Sequence, residues 1–328
     1  MQDKRNKSRA LFTILIALFA GLTGLLTISG FNWERRSETV QDSDQEQNTT
    51  QSLSYTMPDT ISFAGERVPL ENFDTRESLE RELITTTYRH SSTILIIKRA
   101  RRYFPVIEKI LRDNNIPDDF KYLAVAESDL SNAISPAGAT GFWQIMASTG
   151  REQGMEINNE VDERYDLEKS TKFACDYFHK SYEKYGNWTL SAASYNGGRN
   201  GIDQQIEIQK EHNYYDLLLT EETARYIFRV LSYKLVITDP ASFGFDIDSA
   251  ELYPELRYYE VKVDTAVADF ADFAKSFGTN YKMLKLLNPW LRKPYLTNRS
   301  GKAYMIKIPE EGSRSIPDDY TETDIYLD

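Results

Sequence analysis

Residues 122–146 read YLAVAESDLSNAISPAGATGFWQIM and hold the most informative pattern in the chain. The stretch begins as an apolar helix, carries one acid, Glu127, near the end of that helix, and breaks at Pro136. A Gly-x-x-Gly loop at 138–141 then leads into an aromatic pair. An acid on an apolar segment, followed by a tight glycine loop and aromatic residues, is typical of a sugar-cleaving cleft.

Glu127 stands on the apolar face of its helix. Leu123 and Phe120 lie four and seven residues before it, so all three side chains emerge on one side. Loss of water there disfavours the charged form of a carboxyl and raises its pKa, which suits a general acid near neutral pH. The alternative interpretation is a glutamate in the last helical turn that reaches solvent.

A second catalytic carboxylate is not evident from the sequence. Most glycosidases use two, one as acid and one as nucleophile or base. Asp129 would point elsewhere on the helix, and Asp162 and Asp166 are better explained as an Asp–Arg pair and a helix cap. A single acid/base favours an intramolecular displacement over attack by water.

The pattern of apolar residues predicts a mainly α fold. The length of 328 residues allows about two domains with tails. An extended segment at 61–70 should lie on the domain that follows, and residues 75–238 are mostly helical in pattern. The predicted helices cover 76–89, 93–113 with a kink or break at Pro105, a helix capped by Asp118 or Asp119, 166–185, 188–195 and 221–237.

The pattern changes after Pro254. Residues 258–263 and 304–308 alternate in the strand period, and two short helical stretches, 267–277 and 280–288, lie between them. This order predicts a small βααβ module behind an all-α domain.

The N-terminus predicts export. Residues 1–9 are basic, and 10–31 carry no charge over a length that spans a bilayer. We expect residues 1–31 to form an uncleaved membrane anchor, with a cleaved signal peptide as the alternative. Residues 32–57 are polar and predict a disordered tether, and 313–328 an acidic tail.

Composition excludes several classes of function. The net charge is −11, and since residues 1–31 carry +3, the remainder carries −14, which argues against a nucleic-acid partner. Cys175 is the only cysteine, and the three histidines lie far apart with no metal-binding spacing. The sequence therefore predicts neither a metal nor another cofactor.

Four segments, in this order and at compatible spacing, resemble the motifs of family 1 lytic transglycosylases, which have a goose-lysozyme-like fold. They are Glu127-Ser128, SPAGATGFWQIM at 135–146, SYNGG at 194–198 and ETARY at 222–226. The resemblance implies cleavage of peptidoglycan between N-acetylmuramic acid and N-acetylglucosamine, with a 1,6-anhydromuramoyl end as product and Glu127 as single general acid/base.

The same resemblance implies a set of substrate-binding residues around Glu127. Serines would orient the glutamate or the sugar's acetamide, amides would hold polar sugar groups, and a methionine and tyrosines would complete the cleft. These residues are Ser128, Ser135, Gln144, Met146, Tyr195, Asn196 and Tyr226.

The C-terminal module resembles a LysM domain, which implies carbohydrate binding. VKVDT at 261–265, LKLLNP at 284–289 and IKIP at 306–309 carry this resemblance, although no glycine precedes Asp264 and residues 291–302 form an insertion. A purely structural cap is the alternative. We therefore expect a catalytic domain at 58–250 and a LysM-like module at 255–312.

These expectations place the protein on the periplasmic side of a bacterial envelope, held in the inner membrane by residues 10–31 or exported after signal cleavage, with peptidoglycan as its partner. Two other functions stay open. One is a hydrolytic muramidase on the same fold, which needs a second carboxylate to position water. The other is a non-catalytic protein that binds the cell wall.

Overall fold

The described chain begins with a short hairpin that closes one side of a helical core. The computed structural model describes residues 56–315, so the predicted membrane segment 10–31, nearly all of the tether and the tail beyond 315 lie outside it. Strand β1, Ser62–Phe63, pairs antiparallel with β2, Glu66–Arg67. No helix within the described residues is long and apolar enough to cross a bilayer.

Eight α-helices follow the hairpin in the described chain before residue 250. Their bounds are α1 Phe73–Tyr88, α2 His90–Asp113, α3 Lys121–Ser128, α4 Ala147–Glu152, α5 Leu167–Tyr185, α6 Trp188–Gly197, α7 Arg199–Gln209 and α8 Glu221–Thr238.

Helix α3 lies at the centre of this arrangement. Leu123, Ala124 and Val125 are completely buried, and the helix packs against α8 and α2. Around it, α8 packs on α1 and α6, and α5 packs on α2 and α6. Three consecutive buried residues show that the core covers most of the surface of α3, so its apolar residues extend beyond the stripe that Glu127 follows.

Local signals predicted some helix ends correctly. The Asp166 carboxylate accepts a hydrogen bond from Lys169 N at 2.9 Å and caps α5, whose other end is Gly186 in the left-handed conformation. The predicted cap of α3 by Asp118 or Asp119 is wrong. A 3₁₀ turn over Asp118–Phe120 precedes α3, and neither carboxylate caps it.

Long-range contacts explain the error. The Asp119 carboxylate accepts from the backbone N–H of Ala64 at 2.7 Å and from Lys234 Nζ at 2.8 Å. It therefore ties the N-terminal hairpin to α8.

Helix α2 runs through Pro105 as one 24-residue helix, so the proline does not divide it. Helices α4 and α7 were not predicted.

The C-terminal module has the predicted βααβ order. Strand β3, Tyr258–Val263, pairs antiparallel with β4, Tyr304–Pro309, and between them lie α9, Phe270–Ser276, and α10, Tyr281–Leu287. A second apolar core fills the module, and two residues of the helical part, Val161 and Tyr165, complete it. The mainly α fold class is confirmed.

Candidate active site

Glu127 lies in the last turn of α3, where the chain reverses. Asp129 and Leu130 both have positive φ, 52° and 53°, so the helix ends in two consecutive left-handed residues. Leu123, one turn before Glu127 in α3, and Phe120, in the 3₁₀ turn that precedes α3, are both completely buried. The carboxyl therefore emerges at the edge of the apolar core, as the spacing predicted.

The Glu127 carboxyl is held by one hydrogen bond. Tyr226 Oη, on α8, donates to Glu127 Oε1 at 2.6 Å. Burial raises the pKa of Glu127 to about 7, against the opposing effects of the Tyr226 hydrogen bond and the positive charge of Arg229, while the charge of Glu222 raises it further. Burial also raises the pKa of Tyr226 well above its ordinary value, so the phenol remains a donor.

The glycine loop that follows α3 is a compact folded unit. Thr140 pairs with both Ile134 and Ile145 in isolated antiparallel bridges. Gly138 and Gly141 have φ of 85° and 83°, and at Gly141 a Cβ would stand 2.1 Å from the backbone oxygen of Arg164. Glycine at 141 is therefore required both by the backbone conformation and by the close approach of the Arg164 backbone.

Gln144 is held by the same loop. Its φ is 46°, and its side-chain Nε2 donates to Ala133 O at 3.1 Å and Gly141 O at 2.8 Å. A non-glycine residue in the left-handed region is uncommon and marks a position that the surrounding structure enforces. The loop thus presents Gln144 in one fixed orientation.

Four of the predicted binding residues line one open cleft of about 430 Å³: Gln144, Met146, Tyr195 and Asn196. Met146 is 41% exposed, so its side chain offers apolar surface to the cleft. Residues that sequence reasoning did not assign complete the cleft, among them Thr149, Phe173, Tyr177, Gly198, Arg199 and Asn200.

Tyr195 and Asn196 connect this cleft with Glu127. The Tyr195 hydroxyl donates to Trp143 O at 2.7 Å, and the charge of Glu127 acts on its phenol. Asn196 Nδ2 donates to Glu222 Oε1 at 3.2 Å, and Glu222 in turn influences the Glu127 carboxyl. Glu127 itself does not line the cleft, and Tyr195 and Asn196 are the lining residues that link the cleft to it.

The two predicted serines are engaged within the protein. Ser128 is 7% exposed, and its hydroxyl contacts the backbone oxygens of Ala124 and Phe142 at 3.1 and 2.9 Å. Ser135 Oγ accepts from Ala139 N at 3.0 Å. These contacts make both serines supports of the loop, and none of them is directed at Glu127.

The other acids that the sequence offered as a second carboxylate have partners of their own. Asp129 pairs with Arg89 at 3.3 Å, and Asp162 pairs with Arg164 at 2.7 Å, as the Asp–Arg interpretation predicted. Within residues 56–315 there is no cluster of histidine, cysteine or acidic side chains arranged to hold a metal ion. The residue that sequence reasoning left without a role is Glu222, although it begins the ETARY segment.

Other contacts of the cleft have weaker sequence signals. Tyr177 Oη donates to Ser194 O at 2.6 Å, and the Arg199 guanidinium lies 4.5 Å from the centre of the Tyr177 ring. Arg199 directly follows the glycine pair 197–198, which is the one feature of sequence that marks its position.

Comparison with known proteins agrees with this geometry. Residues 104–218 match the model of the Transglycosylase SLT domain, and 259–312 match that of the Soluble lytic transglycosylase C-terminal LysM-like domain. Membrane-bound lytic murein transglycosylase D of Escherichia coli K12 is 26% identical over 262 residues, which are 77% of this chain and 56% of that protein.

The protein of the same name from Escherichia coli O6:H1 gives the same values. The chain spans little more than half the length of these curated relatives. The chain thus carries a lysozyme-like Transglycosylase SLT domain followed by a LysM-like domain of the soluble lytic transglycosylase type.

Proposed function

We propose that this protein is a peptidoglycan lytic transglycosylase with Glu127 as its single general acid/base. The observation that carries the proposal is the environment of Glu127. Its carboxyl has a pKa of about 7, so close to half of it is protonated at neutral pH, and one tyrosine hydroxyl fixes its orientation. The SLT domain match and the relatives' name, which specifies murein, agree with this substrate.

The reaction needs one group that gives and then takes a proton. Protonated Glu127 gives its proton to the glycosidic oxygen between N-acetylmuramic acid and N-acetylglucosamine as that bond to C1 breaks. The resulting carboxylate takes the proton of the muramoyl 6-hydroxyl while O6 bonds to C1 and closes the 1,6-anhydro ring. Glu127 ends protonated, as it began, and no water is consumed. The acetamido group of the same sugar can stabilise C1 between the two steps.

Tyr226 supports this cycle by binding only one carboxyl oxygen. Its hydroxyl donates to Oε1, which leaves Oε2 to exchange the proton. The hydrogen bond favours the carboxylate and so offsets part of the effect of burial. The pKa of the carboxyl thereby stays near the pH at which the group can both donate and accept a proton.

Substrate binding is assigned to the cleft beside Glu127. Gln144, whose Nε2 is bound within the loop, offers its amide oxygen to the sugar's polar substituents, and Asn196 offers the N–H that does not bind Glu222. Met146 and Tyr195 offer apolar surface. Ser128 and Ser135 act through the loop that presents Gln144. No cofactor enters the mechanism.

The domain arrangement and the location belong to the same proposal. The catalytic domain spans 58–250 and the LysM-like carbohydrate-binding module 255–312. Residues 10–31 hold the protein in the inner membrane, or direct its export, so that both domains meet peptidoglycan on the periplasmic side of the envelope. The uncharged run at 10–31 and the relatives' description as membrane-bound support this location.

Mass spectrometry of the products tests the proposal. Purified peptidoglycan incubated with the protein should release muropeptides with 1,6-anhydromuramoyl ends, and Glu127→Gln should release none above background. Reducible muramic acid ends as the main product would overturn the transglycosylase mechanism. Equal rates for Glu127→Gln and the parent protein would remove Glu127 from it.

One observation favours hydrolysis as the second candidate. Glu222 influences the Glu127 carboxyl and binds Asn196 in the cleft, so it is the carboxylate best placed to orient a water molecule. A muramidase of this kind would lose activity on Glu222→Gln and yield reducing ends. A transglycosylase should retain most of its anhydro product in that variant.

A further inference from the structure

The segment 156–168 is used by neither step of the proposed reaction, yet it contacts both parts of the protein. We call it the docking segment. It includes the VDERYD sequence at 161–166, which the sequence explains only as a local ion pair and a helix cap. The structure shows that one side of this segment holds the glycine loop and the other side holds the C-terminal module.

Arg164 makes the contacts on the loop side. Its Nη1 donates to Gly138 O at 3.2 Å and to Ile145 O at 3.1 Å, the two ends of the turn that contains Gln144. Its Nε and Nη2 bind the two oxygens of the Asp162 carboxylate at 2.9 and 2.7 Å. The guanidinium is thus fixed by a bidentate pair while its remaining nitrogen holds the loop.

The backbone of the docking segment makes the contacts on the module side. Asp162 N donates to Trp290 O at 2.9 Å, and Arg292 N donates to Glu160 O at 2.7 Å. Val161 and Leu291 form an antiparallel bridge between these two bonds, and both are 1% exposed. The insertion at 291–302, which departs from the usual LysM pattern, therefore begins with residues that pair with the docking segment through their backbone.

Side chains of the module reinforce this backbone pairing. Lys302 forms ion pairs with Glu156 at 2.6 Å and Glu163 at 3.2 Å. The Arg292 guanidinium stacks over the ring of Tyr165, 3.9 Å from its centre. These side chains hold the docking segment on the module, while Arg164 of the same segment binds the glycine loop.

Asp162 belongs to both sides. Its backbone N–H donates to Trp290 of the module and its carboxylate accepts from Arg164, so a single residue joins the module to the guanidinium. We propose that the C-terminal module braces the active site: its docking on segment 156–168 fixes Arg164, and Arg164 is a positioning residue for the loop that presents Gln144.

Fluorine NMR on the full chain tests this proposal without depending on activity. The chain has four tryptophans, and replacement by 5-fluorotryptophan gives each a signal that single Trp→Phe variants assign. Trp143 lies on the braced loop, completely buried, and donates to Thr171 Oγ1 at 2.8 Å. Trp290 lies at the docking contact. Together they report on the loop and on the docked module separately.

The test variant is Arg292→Ala with Lys302→Ala, which removes two exposed side chains of the module that contact the docking segment. The matched control is Lys262→Ala with Lys282→Ala, two exposed lysines of the module. The control removes the same charge, and within residues 56–315 neither lysine side chain makes a hydrogen bond or an ion pair, although the backbone of Lys262 pairs with Met305 in the β3–β4 ladder. Arg164→Lys keeps the charge of the positioning residue but loses its planar fork.

We expect the test variant to shift both the Trp290 and the Trp143 signals, Arg164→Lys to shift the Trp143 signal, and the control to shift neither. The kinetic readout rests on the proposed function. With glycan strands released from peptidoglycan by an amidase, KM should rise about tenfold in the test variant and in Arg164→Lys, because the loop that binds sugar is displaced. Loss of folded protein alone would lower kcat and leave KM unchanged.

A Trp143 signal that stays in place while the Trp290 signal moves would overturn the brace. An unmoved Trp143 signal in Arg164→Lys would remove Arg164 from the role of positioning residue. If the parent protein has no lytic activity, the proposed function fails, whereas the two tryptophan signals still decide whether the module and the loop are coupled.

Discussion

Replacement of Glu127 by glutamine should stabilise the protein, and the gain should depend on pH. A carboxyl whose pKa is raised from 4.5 to about 7 by burial holds a proton in the folded state that the unfolded chain has already released. At about 1.36 kcal/mol per pKa unit, this shift costs the folded state roughly 3 kcal/mol once the group is ionised. Glutamine has nearly the same shape, does not ionise, and can accept the hydrogen bond of Tyr226 through its amide oxygen.

The sign follows from which state binds more protons. Between pH 4.5 and about 7 the folded protein binds more, so its free energy of unfolding falls as the pH rises, and the full cost remains above that window. Below pH 4.5 the group is protonated in both states and costs nothing. The free energy of unfolding of the variant should therefore be about 3 kcal/mol higher than that of the parent at pH 8 and nearly equal to it at pH 4.

Urea unfolding of both proteins at pH 8 and pH 4 measures this difference directly. At pH 8 the thermal midpoint should also rise by roughly 4–6 °C, since the entropy of unfolding is about 2.1 cal/mol/K per residue. Glu77→Gln, at an exposed position on α1, is the control for the effect of a Glu→Gln substitution on the surface. A stability difference for Glu127→Gln that is equal at both pH values would refute the argument that burial raises the pKa of this acid.

Three further results are expected. Tyr226→Phe removes the hydrogen bond that lowers the pKa of Glu127, so the alkaline limb of the pH–kcat profile should move to higher pH; an unchanged limb would contradict this role. Gly141→Ala, whose Cβ would stand 2.1 Å from a backbone oxygen, should cost about 3 kcal/mol or more in urea unfolding. Gly138→Ala, with no atom within 4 Å, should cost only the roughly 1–2 kcal/mol of its left-handed backbone, and equal losses would argue against the clash. Cys175 is completely buried and burial raises its thiol pKa to about 12, so it should react with a disulfide reagent only as the protein unfolds; rapid labelling of the native state would contradict that.

The sequence predicted best those features whose cause is local. The position of Glu127 on an apolar face followed from the four- and seven-residue spacing to Leu123 and Phe120, and the ends of α5 followed from Asp166 and Gly186. The fold class followed in the same way, because helical and strand periods are visible over single elements.

Features that depend on distant residues were missed or wrong. Asp119 looks like a helix cap, but its carboxylate binds Lys234, 115 residues away, in preference to its own backbone. Helix α7 begins directly after a glycine pair and exposes polar residues, so its pattern resembles a loop. Ser128 carries a hydroxyl next to the acid in sequence, yet helix geometry turns that hydroxyl onto the carbonyl of Phe142.

The docking of the module is the largest feature beyond the reach of sequence reasoning. Val161 and Leu291 are 130 residues apart, and each is an ordinary apolar residue in its own segment. The insertion at 291–302 departs from the LysM pattern in sequence, whereas the structure shows it paired with the docking segment. Such a pairing becomes visible only when both partners are in place.

The proposed chemistry depends on which side chain contacts each buried carboxyl group. Glu82 on α1 is 1% exposed, and Arg225 Nε lies 2.7 Å from its carboxylate. Asp162 has Arg164 in the same way. Both acids therefore have a guanidinium as partner, and an ion pair of this kind stabilises the ionised form of a carboxyl over the form that donates a proton.

Glu127 differs in having a phenol where those acids have a guanidinium. A neutral donor fixes the carboxyl without compensating the full loss of solvation, so this group can hold a proton near neutral pH. The ionised form of this buried carboxyl also lowers the free energy of unfolding, because no cation compensates for its lost solvation. Catalysis by one acid/base therefore requires that the surrounding structure keep Tyr226 in place and keep cations away from direct contact with Glu127, and the burial of Tyr226 in α8 against the central helix α3 provides for both.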